Sequence, residues 1–393
     1  MDQKLLQLSI LLNETKQLWT SKPFVTRTQD WEFIWPHWSK FVRSWSEAEL
    51  ECFEQCPEQH PNAPQDLKDC SEQLRHQTQL QCFERAEVQE KNKQSWHIKE
   101  RKWSQIKQLA AIFNPVKGKG VVDWCGGKGH LGRNLAIWND LPVLLLEQQP
   151  HLCQQAYDLA ELHHVALKAE ALDVLSSDVV LPSEWSLVAL HACGELSERA
   201  MKVAVEHKLK DVAISPCCYH AHTAEKRAAL SEMGKQQDLE LDRNALMLPS
   251  FAEQYASPVA RTRRRREMAH RQGLDLMLRA HSGEQQYRSF RSVPTAWKDL
   301  SFEDFVLAMK AREGFSLPTR WRHHDWEERG WKRAHEARCV GSIRNIFRRA
   351  IEVWVVLDRA LWLKEQGWSV QVGTWCEAEV TPRNILLKGS YGV

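Results

Sequence analysis

The sequence predicts an α/β fold: a largely parallel sheet, covered on both faces and split by a long helical segment. Three observations predict it. First, Gly120–Gly132 reads as a short β-branched run (Val121, Val122) closed by an acid, then a glycine-rich turn, then a helix. Second, four more short apolar runs follow up to residue 215, with helical patterns between them. Third, after a break of more than a hundred residues, the rhythm returns from residue 350 to the end.

The bulk composition agrees with such a fold. The chain has 393 residues, 43% hydrophobic and 26% charged, which is ordinary for a globular protein of two or three domains. No apolar run approaches the ~20 residues that cross a bilayer, and the opening Met1-Asp-Gln-Lys-Leu-Leu-Gln lacks a signal-peptide pattern. A cytoplasmic protein with no membrane partner is expected, its 11 cysteines kept reduced.

Residues 1–95 are rich in Gln, Glu, Trp and Leu and read as a helical accessory domain. Leu5, Leu6, Leu8, Leu11 and Leu12 fall at helical spacing, as do Trp31, Trp35, Trp38 and Trp45 around a break at Pro36. The tryptophans read as packing residues rather than a base-stacking platform. Cys52, Cys56, His60, Cys70 and Cys82 form a loose metal-like cluster, but zinc favours two closely spaced pairs, and Cys70 and Cys82 are too far apart for a second one.

A helix from Trp103 (Ile106, Leu109, Ala110, Ile112, Phe113) stops at Asn114-Pro115, just before the first strand. The further strands are read at Leu141–Glu147, His164–Ala169, Trp185–His191 and Asp211–Ser215. Residues 96–225 are thus the first part of the core, 226–349 a basic helical insertion, and 350–393 the closing helix and β-hairpin. That hairpin joins Trp368–Thr374 to Thr381–Lys388.

In an open parallel sheet, ligands bind at the carboxyl ends of the strands. Here those ends read Asp123-Trp-Cys-Gly-Gly, Glu147-Gln148, Asp173, His191-Ala-Cys193 and Pro216-Cys-Cys-Tyr-His220. Glu147 is placed to accept both hydroxyls of a ribose, the alternative being a surface acid. Asp173 either accepts an adenine amino group or caps its own turn. Cys193 and Cys217/Cys218 are either reactive thiols or small apolar packing groups.

Charge is unevenly spread. Residues 261–350 hold 21 Lys and Arg against 11 Asp and Glu, although the whole chain is only +2. Arg263, Arg264, Arg265 and Arg266 in succession point to a polyanionic partner, expected to be RNA; a solvated helix face is the alternative.

The stretch at 120–132 resembles the S-adenosylmethionine (SAM) loop of class I methyltransferases. Val-Asp-Trp-Cys-Gly-Gly-Lys-Gly-His-Leu (122–131), Leu-His-Ala-Cys-Gly-Glu-Leu (190–196), Cys-Cys-Tyr-His (217–220) and Thr-Pro-Arg-Asn-Ile (381–385) are together similar to methyltransferase-like proteins with a Cys-Cys-Tyr-His motif. More distantly they resemble tRNA 2′-O-methyltransferases, whose paired metal-binding knuckles this chain lacks. The resemblance covers roughly 96–225 and 350–393 and implies a Rossmann-like sheet, SAM as cofactor and methyl transfer as the activity.

It also implies roles for residues. Asp123, Cys125, Gly126, Gly127, Lys128, Gly129 and His130 would form the SAM loop, with Asp123 near the methionine ammonium, while Glu147, Gln148 and Asp173 would line the adenosine side. His191 and Cys193 would face the methionine end, and Tyr219 and His220 the acceptor. His220 is the candidate general base, with a structural histidine as its alternative. Arg383 and Asn384 would sit near the acceptor pocket, Arg383 holding a phosphate or carboxylate or else forming a structural ion pair.

Cysteines after the fourth and fifth strands also occur in RNA cytosine-5 methyltransferases, which would make Cys217 a nucleophile. The readings therefore range from an enzyme acting on tRNA or rRNA, through protein or small-molecule methylation and cytosine-5 chemistry, to a non-catalytic SAM-binding RNA-binding protein.

Overall fold

The structure, a computed structural model, describes residues 1–87, 94–250, 256–318 and 323–392. Its centre is a seven-stranded sheet: β1 (Val121–Trp124), β2 (Val143–Glu147), β3 (Leu167–Ala171), β4 (Ser186–Cys193), β5 (Asp211–Cys217), β6 (Trp368–Thr374) and β7 (Ile385–Tyr391). The strand order is β3-β2-β1-β4-β5-β7-β6. The first five strands are parallel, and β7 runs antiparallel between β5 and β6. This is the open α/β sheet with an antiparallel finish that the sequence predicts.

The strand patterns explain the order. Every residue of β1, β2 and β5 is buried, as expected of central parallel strands covered on both faces, whereas β3 and β6 at the two edges are partly exposed. Chain reversal between β1 and β4 opens a crevice at the carboxyl ends of these strands.

The helices used below are α1 (Asp2–Glu14), α2 (Glu100–Phe113), α3 (His130–Asn139), α4 (Pro150–Leu162), α5 (Glu195–Glu206), α6 (Pro258–Ser282), α7 (Phe302–Glu313), α8 (His323–Asn345) and α9 (Arg348–Glu365). On one side, Ile106, Leu109 and Phe113 of α2 and Leu131 and Leu135 of α3 share a core cluster with Val121, Val188, Ala213, Trp375 and Leu386. Helix α5 packs against β4 and β5, and α9 against β6 and β7.

Several boundaries differ from the sequence reading. The third strand starts at Leu167 rather than His164, because His164 has φ +55° in a turn closed by its N–H to the Glu161 carbonyl (3.1 Å). Strand β4 runs on past a bulge at His191, and β5 continues to Cys217. The last strand starts at Ile385, since Thr381 to Arg383 form a loop in which the Thr381 hydroxyl accepts the Arg383 N–H (3.3 Å).

The chain divides into two compact units, cut elsewhere than the sequence suggests. One comprises residues 1–14, 75–251 and 348–393; the other comprises 15–74 and 252–347. In the first, α1 joins the sheet unit by packing on α9, where the Trp354 indole N–H donates to the Ser9 hydroxyl (2.8 Å). In the second, the long helices α6 and α8 pack along each other. Ser257 caps α6 through the Ala260 N–H (3.3 Å), with Pro258 in its first turn and Gly283 closing it at φ +76°.

The Trp-rich segment belongs to this second unit through ion pairs. Arg265 meets Glu47 (2.8 Å) and Glu51 (2.6 Å), Arg338 meets Glu47 (2.5 Å), and Arg27 meets Glu336 (3.0 Å). Residues 15–74 hold ten acidic residues against six Lys and Arg, so they offset part of the basic excess. Among the described residues no helix is long and apolar enough to cross a membrane.

Candidate active site

The first strand delivers the site. After Trp124 the backbone turns through Cys125 (φ +52°), Gly127 (φ +61°) and Gly129 (φ +66°) into α3. No side chain caps α3; its first-turn Gly132 N–H instead donates to Asp123 Oδ2 (2.8 Å), satisfying an orphan donor with a carboxylate. The turn fits only without side chains. A Cβ on Gly126 would lie 2.4 Å from Asp123 Cγ and 2.5 Å from Leu145 Cδ1, whereas a Cβ on Gly127 would meet nothing within 4 Å. Gly127 therefore presents backbone to open space, and Gly126 is pressed against the sheet.

Asp123 is only 2% exposed. Burial lifts its carboxyl to about 6, although Gly132 N–H and the nearby cations Lys102 and Arg133 pull the other way. Its place is thus at the floor of the loop, holding the turn in shape while facing two cations. Lys102 on α2 and Arg133 on α3 are the site residues that sequence reasoning missed. Arg133 is 1% exposed, its Nε and Nη1 lack a hydrogen-bond partner, and burial lowers it to about 10. Burial likewise lowers Lys102, which senses both Asp123 and Cys217. A polar residue on the otherwise apolar inner faces of these helices is the only signal the sequence carries for either.

At the end of β2, Glu147 Oε2 accepts the Gly127 N–H (3.1 Å) and Oε1 accepts the Gln149 N–H (3.0 Å). The carboxylate is thereby fixed beside the open glycine, where a ribose is expected. The Gln148 amide donates to Asp173 Oδ2 (3.3 Å), joining the ends of β2 and β3. Asp173 Oδ1 also accepts the Leu175 N–H (3.0 Å), so it caps its own turn as the alternative reading had it, and only its Oδ2 side faces Gln148.

Lys128 lies exposed at the rim. Burial and surrounding cations, chiefly Arg133, push His130 down to about 3, so this ring is neutral at physiological pH. Burial pushes Cys125 up to about 12, keeping it a thiol.

The fourth and fifth strands bring the second half of the site. His191 sits at the β4 bulge with φ +66°, and burial with Lys102 and Arg383 lowers it to about 4. Cys193 and Cys217 are direct neighbours across the β4–β5 ladder, their sulfurs 3.3 Å apart. Gly194 follows at φ +47°; its Cβ would strike the Ala221 carbonyl oxygen at 1.9 Å, so the segment after β5 can close over it only because it is glycine. His220 is half-buried there, with its Nδ1 lacking a partner, as a candidate acceptor-side base requires.

Three expectations change. Tyr219 does not line an acceptor pocket: it is 1% exposed and its hydroxyl donates to Glu352 Oε1 (3.3 Å). Asn384 is also structural, its amide donating to the Cys376 carbonyl (2.7 Å) and its Oδ1 accepting from Arg349 (3.0 Å). Arg349 in turn pairs with Glu352 (2.6 Å), so one polar chain ties the Cys-Cys-Tyr-His segment to the last hairpin. Arg383 remains beside His191 and the thiols, with one guanidinium nitrogen on the Ser250 carbonyl (3.3 Å). Cys217, finally, is 5% exposed, and its neighbouring thiols and burial push its pKa up, the opposite of what a nucleophile needs.

The four consecutive arginines lie in the second unit, apart from these residues in the chain's division. Arg263 pairs with Asp299 (2.6 Å), Arg265 with Glu47 and Glu51, and Arg266 with Asp299 (3.6 Å) and, through a hydrogen bond, the Lys298 carbonyl (3.4 Å). Arg264 also has partners. Among the described residues, Cys52, Cys56, Cys70 and Cys82 form no metal-ligating group.

Comparison with known proteins agrees with this reading of the sheet unit. A family model described as a methyltransferase domain matches residues 101–225. A glutathione S-transferase C-terminal domain-containing protein of Xenopus laevis is 27% identical over 172 residues, covering 42% of this chain and 27% of that protein. The chain thus spans about a quarter of the length of the curated relative it matches. Among solved structures, the Pyrococcus abyssi tRNA (uracil-54, C5)-methyltransferase in complex with S-adenosyl-L-homocysteine overlaps 29% of this chain and 28% of its own, at 17% identity and a TM-score of 0.25. The cyclopropane synthase MmaA2 of Mycobacterium tuberculosis overlaps 78% and 88% at 12% identity, also with a TM-score of 0.25. The matched residues 101–225 carry the glycine turn and the five parallel strands of the sheet.

Proposed function

We propose that this chain transfers a methyl group from SAM to RNA. One observation carries the cofactor half: the open backbone of Gly127 is locked to Glu147 at adjacent strand ends, with Asp123, Lys102 and Arg133 grouped beside it. These residues suit SAM piece by piece. Glu147 would accept the ribose hydroxyls, and Gly127, lacking a Cβ, would let the nucleoside approach. Arg133, with two unpartnered nitrogens, and Lys102 would hold the methionine carboxylate, while Asp123 would offset the ammonium.

SAM supplies an already activated methyl, so the protein's tasks are alignment and exclusion of water. As the acceptor forms its new bond, His220 Nδ1, which has no hydrogen-bond partner among the described residues, would take the proton released. The RNA half rests on the basic excess of residues 261–350. The ion pair of Arg263, whose side chain is 41% exposed, is of the weak surface kind, so a phosphate can replace Asp299 there.

Isothermal titration of the full chain with SAM is expected to show binding that Glu147→Gln weakens by about tenfold to a hundredfold. No heat with the wild type ends the cofactor reading. Transfer of tritiated methyl into fractionated cellular RNA and protein decides the acceptor; label in protein alone rejects RNA. In filter binding, the salt slope of RNA affinity is expected to fall by about 2 in Arg263→Gln/Arg264→Gln, near one unit per phosphate lost. RNA that is not retained even at low salt rejects the second half of the proposal.

The Asp123 carboxyl near 6 gives a pH signature. A cationic ligand favours the ionised carboxylate, whereas the free protein holds the proton more tightly than an unfolded chain does. SAM affinity is therefore expected to be flat above neutrality and to fall about tenfold per pH unit below about 6. Titrations across this range check it, and a flat profile down to acid pH contradicts the assignment.

A further inference from the structure

Three cysteines converge at the ends of β4 and β5 for separate reasons. Cys193 and Cys217 are register partners on adjacent parallel strands, so their side chains leave the sheet on the same face. Strand alternation alone would send the next residue, Cys218, to the other face. Instead Cys218 has φ +42°, a conformation that costs energy for a residue with a Cβ and persists where the surroundings impose it. Its sulfur thereby joins the other two, and all three lie within 4.8 Å of one another.

The spacing is that of a metal cage. A tetrahedral zinc with Zn–S bonds of about 2.3 Å sets its sulfurs about 3.8 Å apart. The Cys193 and Cys217 sulfurs, 3.3 Å apart, need to part by only about 0.5 Å to reach that value, and Cys218 lies within 4.8 Å of both. Besides one another and Cys218, both strand-end sulfurs approach the His191 carbonyl, at 3.7 Å and 3.2 Å. Cys193 and Cys218 are half-buried, so an ion has a way in.

We propose that Cys193, Cys217 and Cys218 form a binding site for a soft, thiophilic divalent cation, Zn²⁺ being the test ion. Ligation releases the thiol protons and leaves the metal with three thiolate ligands and a fourth position for water. The site clamps the loop after β5 to the end of β4, beside the cofactor crevice. It also removes Cys217 from covalent chemistry. The inference stands apart from the methyl-transfer reading, because metal content is measured without SAM or RNA.

The test uses the purified full chain, reduced, incubated with Zn²⁺ and desalted, followed by elemental analysis and peptide-resolved alkylation. About one zinc per chain is expected, with alkylation of Cys193 and Cys218 slowed about tenfold or more while exposed Cys52 and Cys82 react as before. Cys193→Ser/Cys218→Ser is expected to lose the ion and Cys82→Ser to keep it. Co²⁺ in the wild type supplies an arm that needs no variant: thiolate-to-cobalt charge-transfer absorption is expected, with the intensity of a multi-thiolate site. Equal alkylation with and without zinc overturns the proposal, as does zinc retained undiminished by a folded double variant. A Cys193–Cys217 disulfide in place of bound metal under reducing conditions overturns it as well.

Discussion

Gly126→Ala is expected to abolish SAM binding, with an affinity loss of at least about a hundredfold, or about 2.7 kcal/mol. The added methyl would sit 2.4 Å from Asp123 Cγ and 2.5 Å from Leu145 Cδ1. Neither neighbour can move freely. Asp123 is fixed by the Gly132 N–H at 2.8 Å, and Leu145 is fully buried in the middle of β2. The loop must therefore shift outward, carrying Gly127 away from Glu147 and closing the space the nucleoside needs. Overpacking of this kind also costs about 1–3 kcal/mol of stability. Gly127→Ala makes the contrast in stability: its Cβ meets no protein atom at φ +61° and costs only about 1–2 kcal/mol of backbone strain, although it enters the space proposed for the nucleoside. Titration calorimetry with both variants, alongside thermal unfolding, separates the two. Wild-type SAM affinity in a folded Gly126→Ala protein would remove the loop from the cofactor site.

Glu198→Ala is expected to destabilise the sheet unit by about 3–5 kcal/mol, the cost of leaving a buried cation without its partner. Glu198 Oε1 accepts from Arg227 Nε (2.8 Å) and Arg359 Nη2 (2.9 Å), and both guanidinium side chains are almost wholly buried. Arg359 also lies over the Tyr219 ring and reaches the Gly194 carbonyl (3.4 Å), so the network holds the segments on either side of the thiols. Despite the cost of burial, Arg359 and Arg227 hold the Glu198 carboxyl down at about 2 from its ordinary 4.5. A depressed carboxyl contributes stability that is complete above its unfolded pKa and disappears as pH falls through the folded one. The contribution, about 3 kcal/mol by this shift, is thus lost between about pH 4.5 and 2. Urea unfolding at neutral and acid pH checks both statements: the variant should be weaker at pH 7 and lose less on acidification. Equal stability of variant and wild type at neutral pH refutes the assignment.

Much of the sheet could be read from the chain. The apolar runs read at 121–122, 141–147, 185–191 and 211–215 are short and separated by helical patterns, so local pattern alone marks them as buried parallel strands. Their polar ends named the crevice, because an open sheet can bind only there. The roles of single residues were less legible. Tyr219 and His220 are adjacent in the sequence, yet one is sealed against Glu352 and the other is only half-buried. Lys102 and Arg133 enter the site from two helices, and no spacing rule connects them. The run Arg263 to Arg266 looked like a bare cationic face, but Glu47, Glu51 and Asp299, distant in sequence, reach back to it.

The division follows from the range of the forces. Hydrophobic periodicity, glycine turns and strand-end acids act between near neighbours, so the amino-acid order alone determined the α/β class, the strand–turn–helix cofactor loop and the split core. Pairing of buried charges, the register that sets Cys193 beside Cys217, and the left-handed turn that brings Cys218 to them depend on segments meeting across the fold. Those were decided only when tertiary packing removed water from groups that the chain keeps far apart.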